Sequence, residues 1–314
     1  MNLSEVISLI KQNKDAAIFI HTRPDGDAIG SAVALRYALE TLGKKVSLHS
    51  DAPLPEKYAF LAGREEFKQV YQKHELLISL DCADSARLSV FEKDFLKAKN
   101  TLNIDHHISN TKFAKVNYVG TKAACAMIIY DIMKELNITP DKKTADALLA
   151  GISSDTGNFA HKNVTAECLV EAAQLIKHGA DLSYVNEKLY RNSRIERMRL
   201  LGNALSNLRL FESGRIIVMY NKEEDLKTYG ATEDMSEGFI DNALSVNTVE
   251  IAICLTQVNK TAYKVSFRSK SYADVNMLAQ EFGGGGHKFA AGCNASGFFE
   301  DVVTKLVRAA AFYL

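Results

Sequence analysis

The sequence predicts an α/β protein in two parts: an N-terminal doubly wound parallel-sheet domain, joined by a helical linker to a smaller mixed α/β C-terminal domain. Three observations predict it. The chain has 314 residues, which favours two domains of ordinary size. In the first half, short apolar runs alternate with amphipathic ones, the pattern of a sheet wound with crossover helices. After residue 210 the style changes to strands, one helix, a glycine run and a closing helix.

Residues 16–20 (AAIFI) read as a buried strand, and residues 30–42 as a helix stopped by Gly43 in the C-cap position. Further strands are expected at 45–49, 76–80 and 101–104. Helices are expected at 122–136, 143–152 and 165–179, the last ended by Gly179. Residues 186–210 are charged and helical in propensity, and read as a helix connecting the domains. Beyond it come strands at 215–220, 250–258 and 263–268, a helix at 274–282, and a last helix at 299–312. The expected division is therefore 1–185, 186–210 and 211–314.

Composition narrows the function. Lys+Arg and Asp+Glu both number 38, for zero net charge, which argues against coating long duplex nucleic acid or lying on an anionic membrane. A small phosphorylated substrate needs only a local cationic cluster and remains open. The longest apolar run, 123–130, is far short of the roughly 20 residues of a spanning helix, and the N-terminus carries no signal-peptide core. The five cysteines (Cys82, Cys125, Cys168, Cys254, Cys293) are scattered and form no CxxC pair. They read as buried apolar side chains of a cytoplasmic protein, none of them a nucleophile.

The acids and histidines fall at the ends of the expected strands. His21 follows the first strand, and Arg23-Pro-Asp25-Gly-Asp27 forms the loop into the helix. Asp81 follows the run 76–80, and Asp105, His106 and His107 follow the run ending at Ile104. Asp155 closes a helical stretch. Each feature alone has a plainer reading: Asp-Gly-Asp is a common turn, and Asp after a strand is often a helix cap. Together they put acidic or imidazole groups from three strands at one sheet edge, where open parallel sheets bind ligands. Carboxylates with imidazoles suit a two-metal hydrolytic centre: Mn²⁺ best, Mg²⁺ or Co²⁺ as alternatives, Zn²⁺ less typical. Such a centre needs one carboxylate shared between the ions and acts by activating a water toward phosphorus.

These motifs resemble the DHH phosphoesterase family. HTRPDGDAIGS from His21, LDCAD around Asp81, NIDHHISN around Asp105 and SSDTGNF around Asp155 match its N-terminal motifs in order. FRSKSYADVNMLAQEFGGGGHKFAAG, residues 267–292, is similar to its DHH-associated C-terminal domain. The resemblance implies one cation on His21, Asp25 and Asp81, and a second on Asp27, Asp81, His106 and Asp155, with Asp81 bridging. It implies that Asp105 orients the histidine pair. His107 would donate to the scissile phosphate or act as general acid.

The glycine run Gly283 to Gly286 is not a Walker A loop, because Lys-Ser/Thr does not follow. On composition it is either a flexible connection or an anion-binding loop whose backbone N–H groups approach a phosphate. The resemblance favours the second, with Gly284, Gly285 and Gly286 flanked by Arg268, Ser269, His287 and Lys288 as donors to the substrate's non-scissile phosphate. Residues 123–126 (AACA) are apolar where many relatives carry Ser and Thr, removing a polar substrate contact that the resemblance implies at that helix start. His161 reads as a surface residue.

Length and domain pair are most similar to the family branch that degrades short oligoribonucleotides to mononucleotides and converts 3′-phosphoadenosine 5′-phosphate (pAp) to AMP and phosphate. A phosphodiesterase for cyclic di-AMP or linear pApA is the alternative. A non-catalytic nucleotide sensor is disfavoured by the intact acid and histidine set. The sequence leaves open whether the chain forms a homodimer.

Overall fold

The computed structural model describes residues 2–63 and 66–314, except the side chain of His287. The described chain divides by its internal contacts into a unit Met1–Asn192 and a unit Ser193–Leu314.

The first unit is a six-stranded, all-parallel sheet. Its strands are β1 (Asp15–Ile20), β2 (Lys45–His49), β3 (Phe67–Lys68), β4 (Leu76–Leu80), β5 (Thr101–Asp105) and β6 (Val116–Val119). They lie in the order β3-β2-β1-β4-β5-β6. The order reverses between β1 and β4, which pair directly from Ala16↔Leu76 to Ile20↔Leu80. This switch point leaves a crevice beyond the carboxyl ends of the two strands.

The strands are apolar on both faces because each face is covered. Ala16, Ile18 and Ile20 of β1 belong to the larger core, together with α1 (Leu3–Gln12), α2 (Gly26–Thr41), α4 (Cys125–Glu135) and α5 (Lys142–Asp155). Ala17 and Phe19 point the other way, into a smaller cluster with Phe91 and Phe95 beside α3 (Glu92–Lys97). α6 (Ala166–Lys177) and α7 (Leu182–Tyr190) complete the unit.

Helix α2 begins at Gly26 rather than at residue 30, because Asp25 caps it: its Oδ1 accepts from the N–H groups of Asp27 and Ala28 at 3.0 and 3.1 Å. The expected loop is thus partly helix, and Asp27 sits in the first turn. α2 packs so closely on α5 that a Cβ on Gly30 would lie 2.3 Å from the Ala147 carbonyl oxygen.

The second unit carries a mixed sheet in the order β11-β12-β10-β9-β8-β7. The strands are β7 (Arg209–Phe211), β8 (Ile216–Asn221), β9 (Ile251–Asn259), β10 (Ala262–Ser269), β11 (Gly285–His287) and β12 (Ala290–Ser296). Only β8 and β9 run parallel. α11 (Val275–Gln280) and α12 (Phe299–Ala311) cover one face, where Ile216, Val218 and Ile253 meet Leu278 and Leu306. On the other face Ile217, Met219 and Ala252 meet Leu200 and Phe239, supplied by α8 (Ile195–Ser206) and α10 (Phe239–Leu244); α9 (Glu223–Tyr229) lies between β8 and α10 in sequence.

The single connecting helix expected over 186–210 does not form. α7 ends at Tyr190, and α8 begins only at Ile195 and buries Leu200 and Ala204 in the second unit's core. The charge-rich sequence hid a short apolar stripe on α8. The glycine run is also not a loop throughout: Gly285 to His287 is a strand, paired with 290–292 of β12.

Candidate metal centre

The crevice beyond β1 and β4 gathers the acids and histidines. His21 leaves the end of β1, Asp25 and Asp27 open α2, Asp81 follows β4, Asp105 ends β5 and is followed by His106 and His107, and Asp155 is the last residue of α5. Asp81 holds a left-handed backbone, φ 58°, and its N–H is bonded to the Ile104 carbonyl at 3.0 Å. A short polar side chain tolerates that conformation better than most.

Among the described residues three overlapping groups form: His21, Asp25 and Asp81; Asp27, His106 and Asp155; and Asp81, His106 and His107. Within each, the ligand atoms lie within 4.8 Å of one another. Asp81 reaches both histidines, with Oδ2 3.5 Å from His21 Nε2 and Oδ1 3.4 Å from His106 Nε2. His106 Nε2 also lies 3.1 Å from Asp155 and 3.9 Å from Asp27. All six residues expected to hold cations are therefore brought together.

Backbone and neighbouring side chains orient the imidazoles. His106 Nδ1 is 3.2 Å from the Lys122 carbonyl, so Nδ1–H donates and Nε2 faces the carboxylates. His21 Nδ1 lies 2.8 Å from the Thr22 carbonyl and 3.1 Å from Arg87 Nη2. A carbonyl only accepts and a guanidinium only donates, so the ring nitrogen serves one of them, and the shorter contact assigns Nδ1–H to Thr22. His107 Nδ1 donates to Asp105 at 2.7 Å, and Asn110 donates to the other Asp105 oxygen at 2.6 Å and to Asn103 at 2.8 Å. Asn103, Asn110 and Arg87 are not marked by the sequence pattern: each lies in or after a strand, and only the fold turns Asn110 to Asp105, Asn103 to Asn110 and Arg87 to His21.

Asp27 does a second job. Its two oxygens accept from the N–H groups of Cys125 and Ala126 at 2.5 and 2.8 Å, capping α4 with a buried carboxylate. The apolar sequence 123–126 thus contributes to the centre through its backbone N–H groups, which hold Asp27.

The electrostatics fit a cation. Burial disfavours charge on His21, yet Asp25 and Asp81 outweigh it and raise its pKa to about 10. His106 is raised to about 12 by Asp155, Asp81 and Asp27 against the same burial. Burial and like charges push Asp155 up to about 6 and Asp27 well above the usual carboxylate range. Asp81 is driven low by the two imidazoles despite its burial. The cluster thus draws in protons as its counter-charge, which is what a site built for divalent cations does without them. Asp81 Oδ1 and His106 Nε2 are buried and make no hydrogen bond among the described residues. Buried atoms of that kind call for a ligand.

In the second unit the donors are less available. Ser269 is buried and its hydroxyl donates to the Ala273 carbonyl at 2.7 Å, so it is not presented to a ligand. The expected phosphate-cradling N–H groups are also engaged: Gly283 and Gly284 donate to Gln280 and Ala279, and Gly286 donates to Asn276 Oδ1 at 2.8 Å. The glycines serve close approach instead. A Cβ on Gly284 would lie 2.2 Å from the Gly292 carbonyl, and one on Gly286 2.4 Å from that of Ala290. Gly285 and Lys288 are exposed, and Arg268 is partly exposed, 3.7 Å from Asp241. His287 lies on β11; its side chain is outside the described residues. His161 is exposed, with Nδ1 3.4 Å from the Asp155 carbonyl.

The DHH family, N-terminal domain, matches residues 15–152, and the DHHA1 domain matches residues 213–313. The bifunctional oligoribonuclease and PAP phosphatase NrnA of Thermus thermophilus is 34% identical over 286 residues, covering 89% of this chain and 84% of that protein. The chain belongs to the DHH family. A second DHH-family relative, the NrnA of Bacillus subtilis, is 27% identical and covers 93% of this chain and 92% of its own. A crystal structure of an exopolyphosphatase-related protein from Bacteroides fragilis superposes with a TM-score of 0.93 at 23% identity, covering 99% of this chain and 96% of that one. The triplet Asp105-His106-His107 that names the family stands where β5 delivers it to the crevice.

Proposed function

We propose that this chain is a cation-dependent phosphoesterase that hydrolyses short oligoribonucleotides to mononucleotides and pAp to AMP and phosphate. The observation that carries the reading is the shared position of Asp81 between two His/Asp groups at the switch point, in a chain whose relatives carry both activities in their names. Among divalent ions Mn²⁺ fits the mixed carboxylate and imidazole donors best. One ion would be held by His21, Asp25 and Asp81, the other by Asp27, Asp81, His106 and Asp155. When bound, such a pair neutralises charge on phosphoryl oxygens and lowers the pKa of a coordinated water.

The chain's own groups prepare the site. The Thr22 and Lys122 carbonyls hold His21 and His106 with Nε2 toward the carboxylates. Asp105, itself held by Asn110, keeps the proton of His107 on Nδ1 and supports a protonated ring, whose pKa it raises against burial. His107 can therefore donate to the scissile phosphate or to the leaving oxygen. In the second unit, Arg268, His287 and Lys288 are assigned to the non-scissile phosphate, while Ser269 and the N–H groups of Gly283, Gly284 and Gly286 are left to structure. Five free, buried cysteines agree with a cytoplasmic location. No helix among the described residues is long and apolar enough to cross a membrane.

The test is to offer metal-stripped protein, with and without Mn²⁺, pAp, a five-nucleotide RNA, pApA and cyclic di-AMP. Mn²⁺-dependent release of AMP from pAp and of mononucleotides from the RNA is expected. Cleavage confined to cyclic di-AMP or pApA would overturn the substrate assignment, and no hydrolysis at all would overturn the activity.

A further inference from the structure

The segment between β6 and α4, residues 120–124, touches the centre almost wholly through backbone. Gly120 N–H donates to the Asp105 carbonyl at 2.9 Å. The Lys122 carbonyl accepts from His106 Nδ1 at 3.2 Å. Asn163 Nδ2 lies 3.1 Å from both the Ala123 and the Asp155 carbonyls. The next two N–H groups, of Cys125 and Ala126, hold Asp27. One short segment thus sets the positions of Asp27, His106 and Asp155.

The Lys122 side chain ties that segment down. Its Nζ lies 2.9 Å from Asp131 of α4, and 2.5 and 3.4 Å from Glu167 and Glu171 of α6. Lys134 of α4 closes the cluster, 2.6 Å from Asp131 and 3.2 Å from Glu171. Glu171 is buried, so its lysine partners cannot leave without stranding a charge. A loop carbonyl holds a ring in one orientation only if the loop itself is fixed, and this cluster is the side-chain anchor the segment has to two helices.

We propose that Lys122 is a positioning residue for one half of the metal centre: its ion-pair cluster fixes the carbonyl that orients His106, and with it the group Asp27, His106 and Asp155. In the group His21, Asp25 and Asp81 the imidazole is held by the Thr22 carbonyl instead, and the link to the Lys122-held half is the shared Asp81. This inference rests on the metal reading given above.

The test is calorimetric titration of the metal-stripped full chain with Mn²⁺, for wild type, Lys122→Met, Lys122→Arg and Glu167→Gln, with thermal unfolding followed in parallel. Wild type is expected to bind two ions. Lys122→Met should weaken one affinity about 10- to 100-fold, the usual effect of losing an outer partner of a ligand, and the other much less, through the shared Asp81 only; Lys122→Arg should recover most of the loss. Glu167→Gln removes only the exposed arm; it should fold as wild type and shift the same site in the same direction by a smaller factor. In folded variants, two unaltered sites or an equal loss at both would overturn the role of Lys122 alone. A wild-type chain that takes up no Mn²⁺ would overturn the metal reading and this inference together.

Discussion

Asp81 combines three unusual properties at one residue: a left-handed backbone, burial, and a carboxylate reaching imidazoles that follow two different strands. Asp81→Ala should abolish turnover and lower Mn²⁺ uptake together, because it would remove the carboxylate proposed to be shared between the two ions. Near-normal hydrolysis by the variant would remove Asp81 from the centre. His49 carries a different prediction. It is buried against Phe19 at the end of β2, and burial, helped by His74 and opposed by a backbone bond at Lys68, lowers its pKa from 6.5 to about 4. The unfolded chain therefore takes a proton between those values that the folded chain refuses. The stabilisation is whole above pH 6.5 and is lost as pH falls through the window, by about 3 kcal/mol. Urea unfolding at pH 7 and pH 4.5 should show that loss in wild type and a smaller one in His49→Gln; equal slopes would exclude His49 as its source.

At the scale of elements, glycine marks where backbones touch. Gly30 lets α2 lie on α5, and Gly30→Ala should cost about 1–3 kcal/mol by overpacking, measured as a lower urea midpoint at unchanged slope. An unchanged midpoint would mean the helices separate freely. The same argument explains the glycine run. A search for phosphate-binding loops reads missing side chains as open N–H groups, but at Gly284 and Gly286 the space is taken by β12. Composition alone cannot separate these two uses of glycine, because both require the absence of a Cβ. α8 departs from the expected connecting helix for a related reason: its buried Leu200 and Ala204 are too few to stand out among charges.

Across the whole molecule, each unit buries its own apolar cores, and no disulfide is needed for either. All five cysteines are free and buried; burial raises the Cys82 and Cys125 thiols, and takes Cys254 to about 12 and Cys293 to about 11. A thiol reagent at pH 8 should therefore label almost nothing in the native protein and all five after denaturation. Rapid labelling of any one under native conditions would show that its cover opens readily.

The alternation of apolar runs and helices, and the placing of acids just after strands, were determined by the sequence alone, because period and strand-end position are local properties. The acids and histidines that gather at the crevice were legible for that reason, being side chains at strand or helix ends; which six of them would hold cations came from the family resemblance. Tertiary structure alone decided what lies between them. Asn110 reaches Asp105, Arg87 reaches His21, the Lys122 carbonyl reaches His106, and Asp27 caps α4 from 98 residues away. Asn110 is only five residues from Asp105, but the others join segments 16 to 98 residues apart, through backbone atoms or polar groups that every sequence contains. They acquire direction only when the parallel sheet brings the carboxyl ends of β1, β4 and β5 side by side.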